Sequence, residues 1–434
     1  MASVDQLLTE LRRLGNARAS ELRERLGVSQ PTISRLITEA GDRVCKMGAG
    51  PRVHYALTRS VPSLGTRIPV YQADEKGSIH RHGTLHFLAD DHQWLAREQS
   101  PGRFYEGLPP FSAEMSPQGY VGRGFSKRSP ELELPPRISD WRDDHRLIAL
   151  ARRGEDCVGD LILGDESLNR FLAQIPRSVQ PRDYPELARA SLAGQPGSSA
   201  GGEQPKFSAY SEGRHVLVKF SGEDESAAAR RWRDLLVSES FALEAVHAEG
   251  IPAATSRSLL IEGRRFLEVH RFDRIGLRGR KALLSLGSID DEYFGHRDTW
   301  TQAAQRMLAE RLIDAEDARR MRWLDAFGQL IGNTDRHFGN LSFFVEGEGR
   351  FRLAPVYDML PMVFAPVEAE IIERTFSPSP PTADNLDVWS HAARCAVSYW
   401  GRLVGSSELS EEFRERCRHC KDQVEALASQ APGP

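Results

Sequence analysis

The sequence is poor in cysteine and has no long apolar run. Five cysteines in 434 residues, odd in number and irregular in spacing, exclude a disulfide framework. Cys417-Arg-His-Cys420 stands alone in a Glu/Arg-rich helical stretch, and zinc needs a second ligand pair that is not nearby. No segment approaches the roughly 20 apolar residues of a membrane span, and the N-terminus has no apolar signal core. No membrane partner is therefore expected, and the expected location is cytoplasmic. The charge is not strongly of one sign either, at −4 overall. That small total hides an asymmetry. Residues 1–60 carry ten Lys/Arg against six Asp/Glu, so this end is basic and the remainder acidic. A basic end on an acidic body points to a polyanion partner for the N-terminus. The rest, 40% hydrophobic and 27% charged, is the composition of a soluble globular protein, and the length implies two or three domains.

What is present begins with a compact N-terminal pattern. Leu7, Leu8, Leu11 and Leu14 recur at helical spacing. Ser20 is positioned to cap a second helix, Glu21 to Leu26, and Ser29 a third, Gln30 to Ala40, with Pro31 in its first turn. Gly27 marks the turn between them. Ile33, Leu36 and Ile37 form the inner side of the third helix, and Gln30, Thr32, Ser34 and Arg35 the outer. A Gly/Pro turn at 48–51 followed by alternating Val53 to Leu57 predicts a β-hairpin. This order is that of a winged helix-turn-helix over residues 1–62, and ERLGVSQPTISRLI resembles the DNA-reading motif of bacterial regulators. In that reading Gln30, Thr32, Ser34 and Arg35 face base edges or phosphate, and Lys46 and Arg52 on the wing hold phosphates. Paired half-sites raise a homodimer as the assembly. The alternative is a three-helix protein-interaction module.

Residues 66–170 read as a β-rich subdomain with strands at 68–72, 83–88 and 156–163 and a short helix at 147–151; no chemical signature lies there. Gly194 to Lys206 (GQPGSSAGGEQPK) is a Gly/Ser loop whose backbone can approach phosphates, although it is neither a P-loop nor GxGxxG. It leads into a hairpin turning at Glu212-Gly213, whose second strand ends in Lys219. A lysine so placed reaches nucleotide phosphates. Glu239 on the next helix is a candidate partner for it; the alternative is a surface charge. Strands on either side of Gly263 then run into HRFDR, 270–274, at the junction to a helix-rich half, where a two-lobed kinase has its adenine hinge.

The most informative stretch is Leu330 to Phe344, LIGNTDRHFGNLSFF. It places Asn333, Asp335, Arg336, His337 and Asn340 between apolar flanks, a costly arrangement unless these groups are paired. Downstream, LAPVYDMLP sets one acid, Asp358, in an apolar run. Asp335, Asn340 and Asp358 supply the acid and the amide and acid oxygens that phosphoryl transfer and Mg²⁺ require. The alternative is that they are turn and capping residues. Gly287 to Tyr293 reads as a polar loop whose Asp290 and Asp291 approach substrate. Residues 299–312, with Ala304, Met307, Leu308 and Leu312 inward, and 316–331, 387–403 and 410–428 read as helices.

Five fragments in order, SSAGGEQPKF (198–207), VKF (218–220), HRFDR (270–274), GNTDRHFGNLSF (332–343) and LAPVYDMLP (353–361), resemble the HipA family of bacterial serine/threonine kinases, the toxins of toxin–antitoxin systems. The fused N-terminal module resembles the YjjJ-type branch. The resemblance implies an α+β chain in which the winged helix-turn-helix and the β-rich subdomain precede a two-lobed kinase, with a β-rich N-lobe at 171–270 and a helical C-lobe at 271–434. It implies ATP and Mg²⁺ as cofactors, a protein substrate associated with translation, and an antitoxin as a further partner. Lys219 would contact the ATP phosphates beside Gly201 and Gly202 of the loop, and His270 and Phe272 would sit at the adenine hinge. Asp335 would be the catalytic base, His337 would shape its loop, and Asn340 and Asp358 would hold Mg²⁺. Ser198 or Ser199 would be the autophosphorylated loop serine, with Glu203 an extra residue beside them. Two other functions compete: a DNA-binding regulator with a non-catalytic kinase-like sensor, and a metal-dependent enzyme acting on DNA.

Overall fold

The computed structural model describes residues 2–193, 204–367 and 370–430. The chain is mixed α+β and divides into two compact units, one of residues 1–117 with 129–174, the other of 118–128 with 175–434.

The first unit opens with helices Val4–Leu14, Ala19–Leu26 and Gln30–Ala40. Ser3 caps the first, exchanging hydrogen bonds with Gln6, which satisfies two of its free N-terminal groups. Leu7, Leu11, Leu22, Ile33 and Leu36 close the space between the three helices. The second helix starts earlier than its sequence suggests. Ser20 lies inside it, and the first turn is closed instead by the Glu21 carboxylate accepting the Arg18 N–H at 2.8 Å. Strands Asn16–Arg18, His54–Leu57 and Val44–Met47 form an antiparallel sheet in that order. Period-two alternation turns Cys45 and Met47 inward with Ala56, onto Leu88, Trp94 and Phe104. Lys46 between them points to solvent.

Leu88 directly follows the central strand of a five-stranded antiparallel sheet ordered Arg103–Tyr105, Gln93–Arg97, Ile79–Phe87, Arg67–Ala73 and Leu161–Leu163. The predicted strand at 156–163 shrinks to its last three residues, and the predicted short helix grows to Asp143–Arg153.

The second unit holds another five-stranded sheet, ordered Ser256–Ile261, Arg264–His270, Arg214–Phe220, Lys206–Ser211 and Ser178–Val179. Glu212 and Gly213 take positive φ (50° and 81°) in the hairpin turn, the left-handed geometry that two-residue hairpin turns favour. Helix Ala227–Ala248 packs on this sheet, and its other side joins the large core of the helical part through Leu235, Ala242 and Val246. That core contains Trp323, Phe327, Trp389, Tyr399 and Trp400 from helices Ala315–Leu330 and Leu386–Val404. Helix Glu411–Gln430 closes it with Cys417 and Cys420, both buried free thiols. Burial pushes the Cys420 thiol up to about 12, so these cysteines pack as small apolar side chains.

Two expectations fail here. Residues 286–293 form a helix, Leu286–Tyr293, rather than a loop. Asp290 is buried in it and paired with Arg306 at 3.2 Å, while Asp291 is paired with Arg297. Leu308 is 41% exposed, on the outer side of helix Trp300–Ala309.

Leu36→Ala removes a side chain that is 1% exposed and is expected to destabilise the N-terminal helices by about 2–5 kcal/mol. Arg35→Ala on the outer side should change stability by less than about 0.5 kcal/mol. Hydrogen exchange over residues 4–57 checks this, with faster exchange in the leucine variant alone.

Candidate active site

The site starts from strand alternation. In Arg214–Phe220, Val216, Val218 and Phe220 face Tyr184 and Phe266. Lys219 therefore faces the other way, towards helix Ala227–Ala248. There its ammonium meets Glu239 at 2.6 and 2.8 Å, with the lysine 4% and the glutamate 0% exposed. Asp358 also accepts from the same ammonium. One cation thus lies between two carboxylates. Burial alone would lower the Lys219 pKa, but Asp358 and Glu239 outweigh it and hold it raised. Burial likewise opposes the charge of Asp358, yet Lys219 and then Lys206 bring its carboxyl below the usual value. Glu239 is pushed upwards, first by burial, against the pull of Lys219.

The helix carrying Glu239 is pinned from the far side. Asp234 accepts the N–H and hydroxyl of Ser410 at 2.8 and 2.7 Å. Arg231 lies over the Phe413 ring and pairs with Glu412 at 2.9 Å, and Tyr399 donates to the Ser238 carbonyl.

The polar stretch follows the end of helix Ala315–Leu330. Gly332, at φ 71°, turns the chain, and a Cβ there would lie 2.8 Å from Val363. Asn333 is buried and bonds in two directions: its Oδ1 accepts the Asp335 N–H at 3.0 Å, and its Nδ2 donates to the Asp358 carbonyl at 3.3 Å. Asp335 itself is exposed. Asn340 donates through Nδ2 to the Asp335 carbonyl at 2.8 Å and lies 3.4 Å from its carboxylate. His337 caps the short turn Phe338–Asn340 by accepting the Gly339 N–H at 3.0 Å, with Nε2 3.7 Å from Asp335. Tyr357 donates to the Gly339 carbonyl. Asp358 has φ 53°, a left-handed conformation that aspartate tolerates better than most residues, and 26% of its side chain remains exposed.

At the end of strand Arg264–His270, the N–H groups of His270 and Arg271 donate to Thr255 and His215 carbonyls, both at 2.9 Å. They hold the junction to the sheet. Burial, then Arg214, lowers the His270 pKa. The Phe272 ring packs between Phe344 and Tyr357.

Comparison with known proteins gives the family. A model of the YjjJ-like toxin middle domain matches residues 64–172, and one of the HipA-like C-terminal domain matches 198–428. The chain is 33% identical to Toxin YjjJ of Escherichia coli K12 across 97% of both chains. The protein belongs to the HipA-like toxin family, in its YjjJ-like branch. Its fold resembles a chain in the complex of Shewanella oneidensis HipA, HipB and operator DNA, with a TM-score of 0.56 at 16% identity, covering 84% of this chain and 97% of that one.

In this HipA-like chain the structure gathers Lys219, Glu239 and Asp358 at one point and Asp335, His337 and Asn340 on an adjoining turn, the two stitched together by Asn333. His270 and Phe272 lie at the end of the neighbouring strand. Ser198, Ser199, Gly201 and Gly202 lie outside the described residues. In the first unit, Gln30, Ser34, Arg35, Lys46 and Arg52 are exposed, and Thr32 is half-buried against Ser29. Two contributors escape sequence reading. Lys206 pairs across the strands with Lys219, and its charge reaches Asp358; period-two pairing was the available signal. Arg336 is the other. It bonds the buried Asp325 at 3.1 Å and the Asn333 carbonyl, and nothing local in the sequence marks that pair.

Lys219→Met leaves Glu239 and Asp358 facing each other without a cation, a loss of about 3–5 kcal/mol. The pH dependence follows from the signs. Without Lys219, burial and the Asp358 charge raise the Glu239 pKa against Lys206 alone. The variant then gains stability by binding a proton in acid and loses it as pH rises through that raised value. Urea unfolding should find Lys219→Met closer to the parent chain at pH 5 than at pH 8; an equal deficit at both contradicts this.

Proposed function

We propose that the chain is an ATP- and Mg²⁺-dependent serine/threonine protein kinase of the toxin type, acting in the cytoplasm. The observation that carries the reading is the buried Lys219–Glu239 pair sharing Asp358, next to a turn that presents Asp335 and Asn340. Its chemistry matches what phosphoryl transfer requires: charge neutralisation and positioning, with little covalent help. Lys219, with Lys206 nearby, holds nucleotide phosphates, and the Glu239 carboxylate keeps the lysine extended. The purine lies at the 270–274 junction, where the His270 and Arg271 N–H groups are already used by the sheet, leaving later positions such as Phe272 to meet it.

The donor set fits magnesium. Asn340 gives its Nδ2 to Asp335, which leaves its oxygen with no protein donor among the described residues, and Asp358 keeps part of its carboxylate exposed. Mg²⁺ characteristically takes one or two such protein oxygens together with phosphates and water. When bound it neutralises the charge that develops on the transferred phosphoryl group. Asp335, exposed and oriented by Asn333 and Asn340, accepts the proton of a substrate Ser or Thr hydroxyl. His337 shapes the turn.

In the same reading, Ser198 or Ser199 is an autophosphorylation site on the Gly/Ser loop, a translation-associated protein is the substrate, and an antitoxin is a partner. The N-terminal helices and sheet act as a winged helix-turn-helix that binds DNA as a homodimer. Its support is the exposed outer row of Gln30, Ser34 and Arg35 with Lys46 and Arg52 and the basic balance of this end.

Incubation of the purified chain and a cell lysate with γ-labelled ATP tests the kinase reading. Asp335→Asn should reduce label transfer by at least about 100-fold. A wild-type chain that neither binds Mg-ATP nor transfers label contradicts it.

A further inference from the structure

Two turns, one carrying Asp335 and one carrying Asp358, lie 23 residues apart in sequence and meet at a single side chain. Asn333 is 1% exposed. Its acceptor serves the Asp335 N–H and its donor serves the Asp358 carbonyl, so a neutral group with both functions is required. Aspartate keeps the shape and the acceptor but places negative charge against a carbonyl. Alanine leaves both backbone groups unmatched, a larger loss than the bonds themselves.

Asn333 is itself held from behind. Its carbonyl accepts from Arg336, whose Nε bonds Asp325 at 3.1 Å. The other oxygen of Asp325 takes the N–H and hydroxyl of Thr301 at 3.2 and 2.8 Å. Arg336 reaches Asp325 by crossing Gly328, where a Cβ would lie 2.5 Å from its Cδ. The Val363 N–H fixes the Gly332 carbonyl at 3.0 Å. The amide is thus set by two helices before it touches either acid.

We propose that Asn333 is a positioning residue: it locks the Asp358 turn to the Asp335 turn, so that the cation-holding acid and the proton-accepting acid are placed as one unit. This rests on the kinase reading. Asn333 reaches neither substrate nor nucleotide in this role; it acts through Asp335 and Asp358.

The test is the Mg²⁺ dependence of nucleotide binding, which needs no turnover. Calorimetric titration of the full chain with a non-hydrolysable ATP analogue, with and without Mg²⁺, gives the tightening due to the cation. In Asn333→Asp and Asn333→Ala this tightening should fall by roughly tenfold, the weight of about one buried hydrogen bond. Affinity without Mg²⁺, set by Lys219, should be unchanged. A residue that merely supports the fold would move both affinities or neither. In an Asp358→Ala background, Asn333→Ala should have no further effect on the cation dependence. Folded variants with wild-type tightening overturn the proposal. Absence of Mg²⁺-dependent binding in the wild-type chain overturns the kinase reading instead. If neither variant folds, selective ¹⁵N-asparagine labelling of the wild-type chain decides. The Asn333 side-chain amide should exchange slowly with water and shift when Mg²⁺ and nucleotide are added together; a fast-exchanging, unshifted amide overturns the proposal.

Discussion

A lysine ammonium buried between two carboxylates is the constraint on which this chain's second unit depends. Lys219 is 4% exposed, and Glu239 and Asp358 share its charge. Removing three ions from water is unfavourable unless their geometry is good. Strand alternation has to aim the lysine at the helix, the helix has to bring the glutamate within 2.6 Å, and the chain at 358 has to adopt a left-handed turn. One cation against two anions still leaves a negative excess. The nearby charge of Lys206 offsets part of it, and the remaining field favours a further cation. A phosphate-bound Mg²⁺ is suited to that place.

In many kinases the lysine–glutamate pair depends on where its helix sits, and moving the helix is a means of control. Here the helix belongs to the core of the helical part. Asp234 holds Ser410, Arg231 lies on Phe413, and Tyr399 holds the Ser238 carbonyl. These contacts anchor the helix that carries Glu239 to the core of the helical part.

Much of the site is legible in the sequence because its polar residues interrupt apolar runs. LIGNTDRHFGNLSFF and LAPVYDMLP contain Asp335, His337, Asn340 and Asp358, and the structure brings these fragments together. Lys219 is legible from its place at the end of a strand, and Glu239 from its helix. Other features depend on distant partners. Asp290 reads as substrate-facing because a run of Ser and Asp suggests a loop, but Arg306 satisfies it inside a helix. Ser20 loses the cap to Glu21, three residues after Arg18. Arg336 finds its role only through Asp325, one helix away. Local chemistry identifies the acids, whereas their supports come from tertiary packing.

In the proposed function, Lys219, Glu239 and Asp358 form a nucleotide and magnesium site. The most direct measurement is a crystal structure of the full chain with Mg²⁺ and a non-hydrolysable ATP analogue. The Lys219–Glu239 pair should persist, the lysine should contact phosphate, and Asp358 should leave the lysine for the metal. A nucleotide bound elsewhere, or a Lys219–Asp358 pair left closed with Mg²⁺ and nucleotide present, would contradict it.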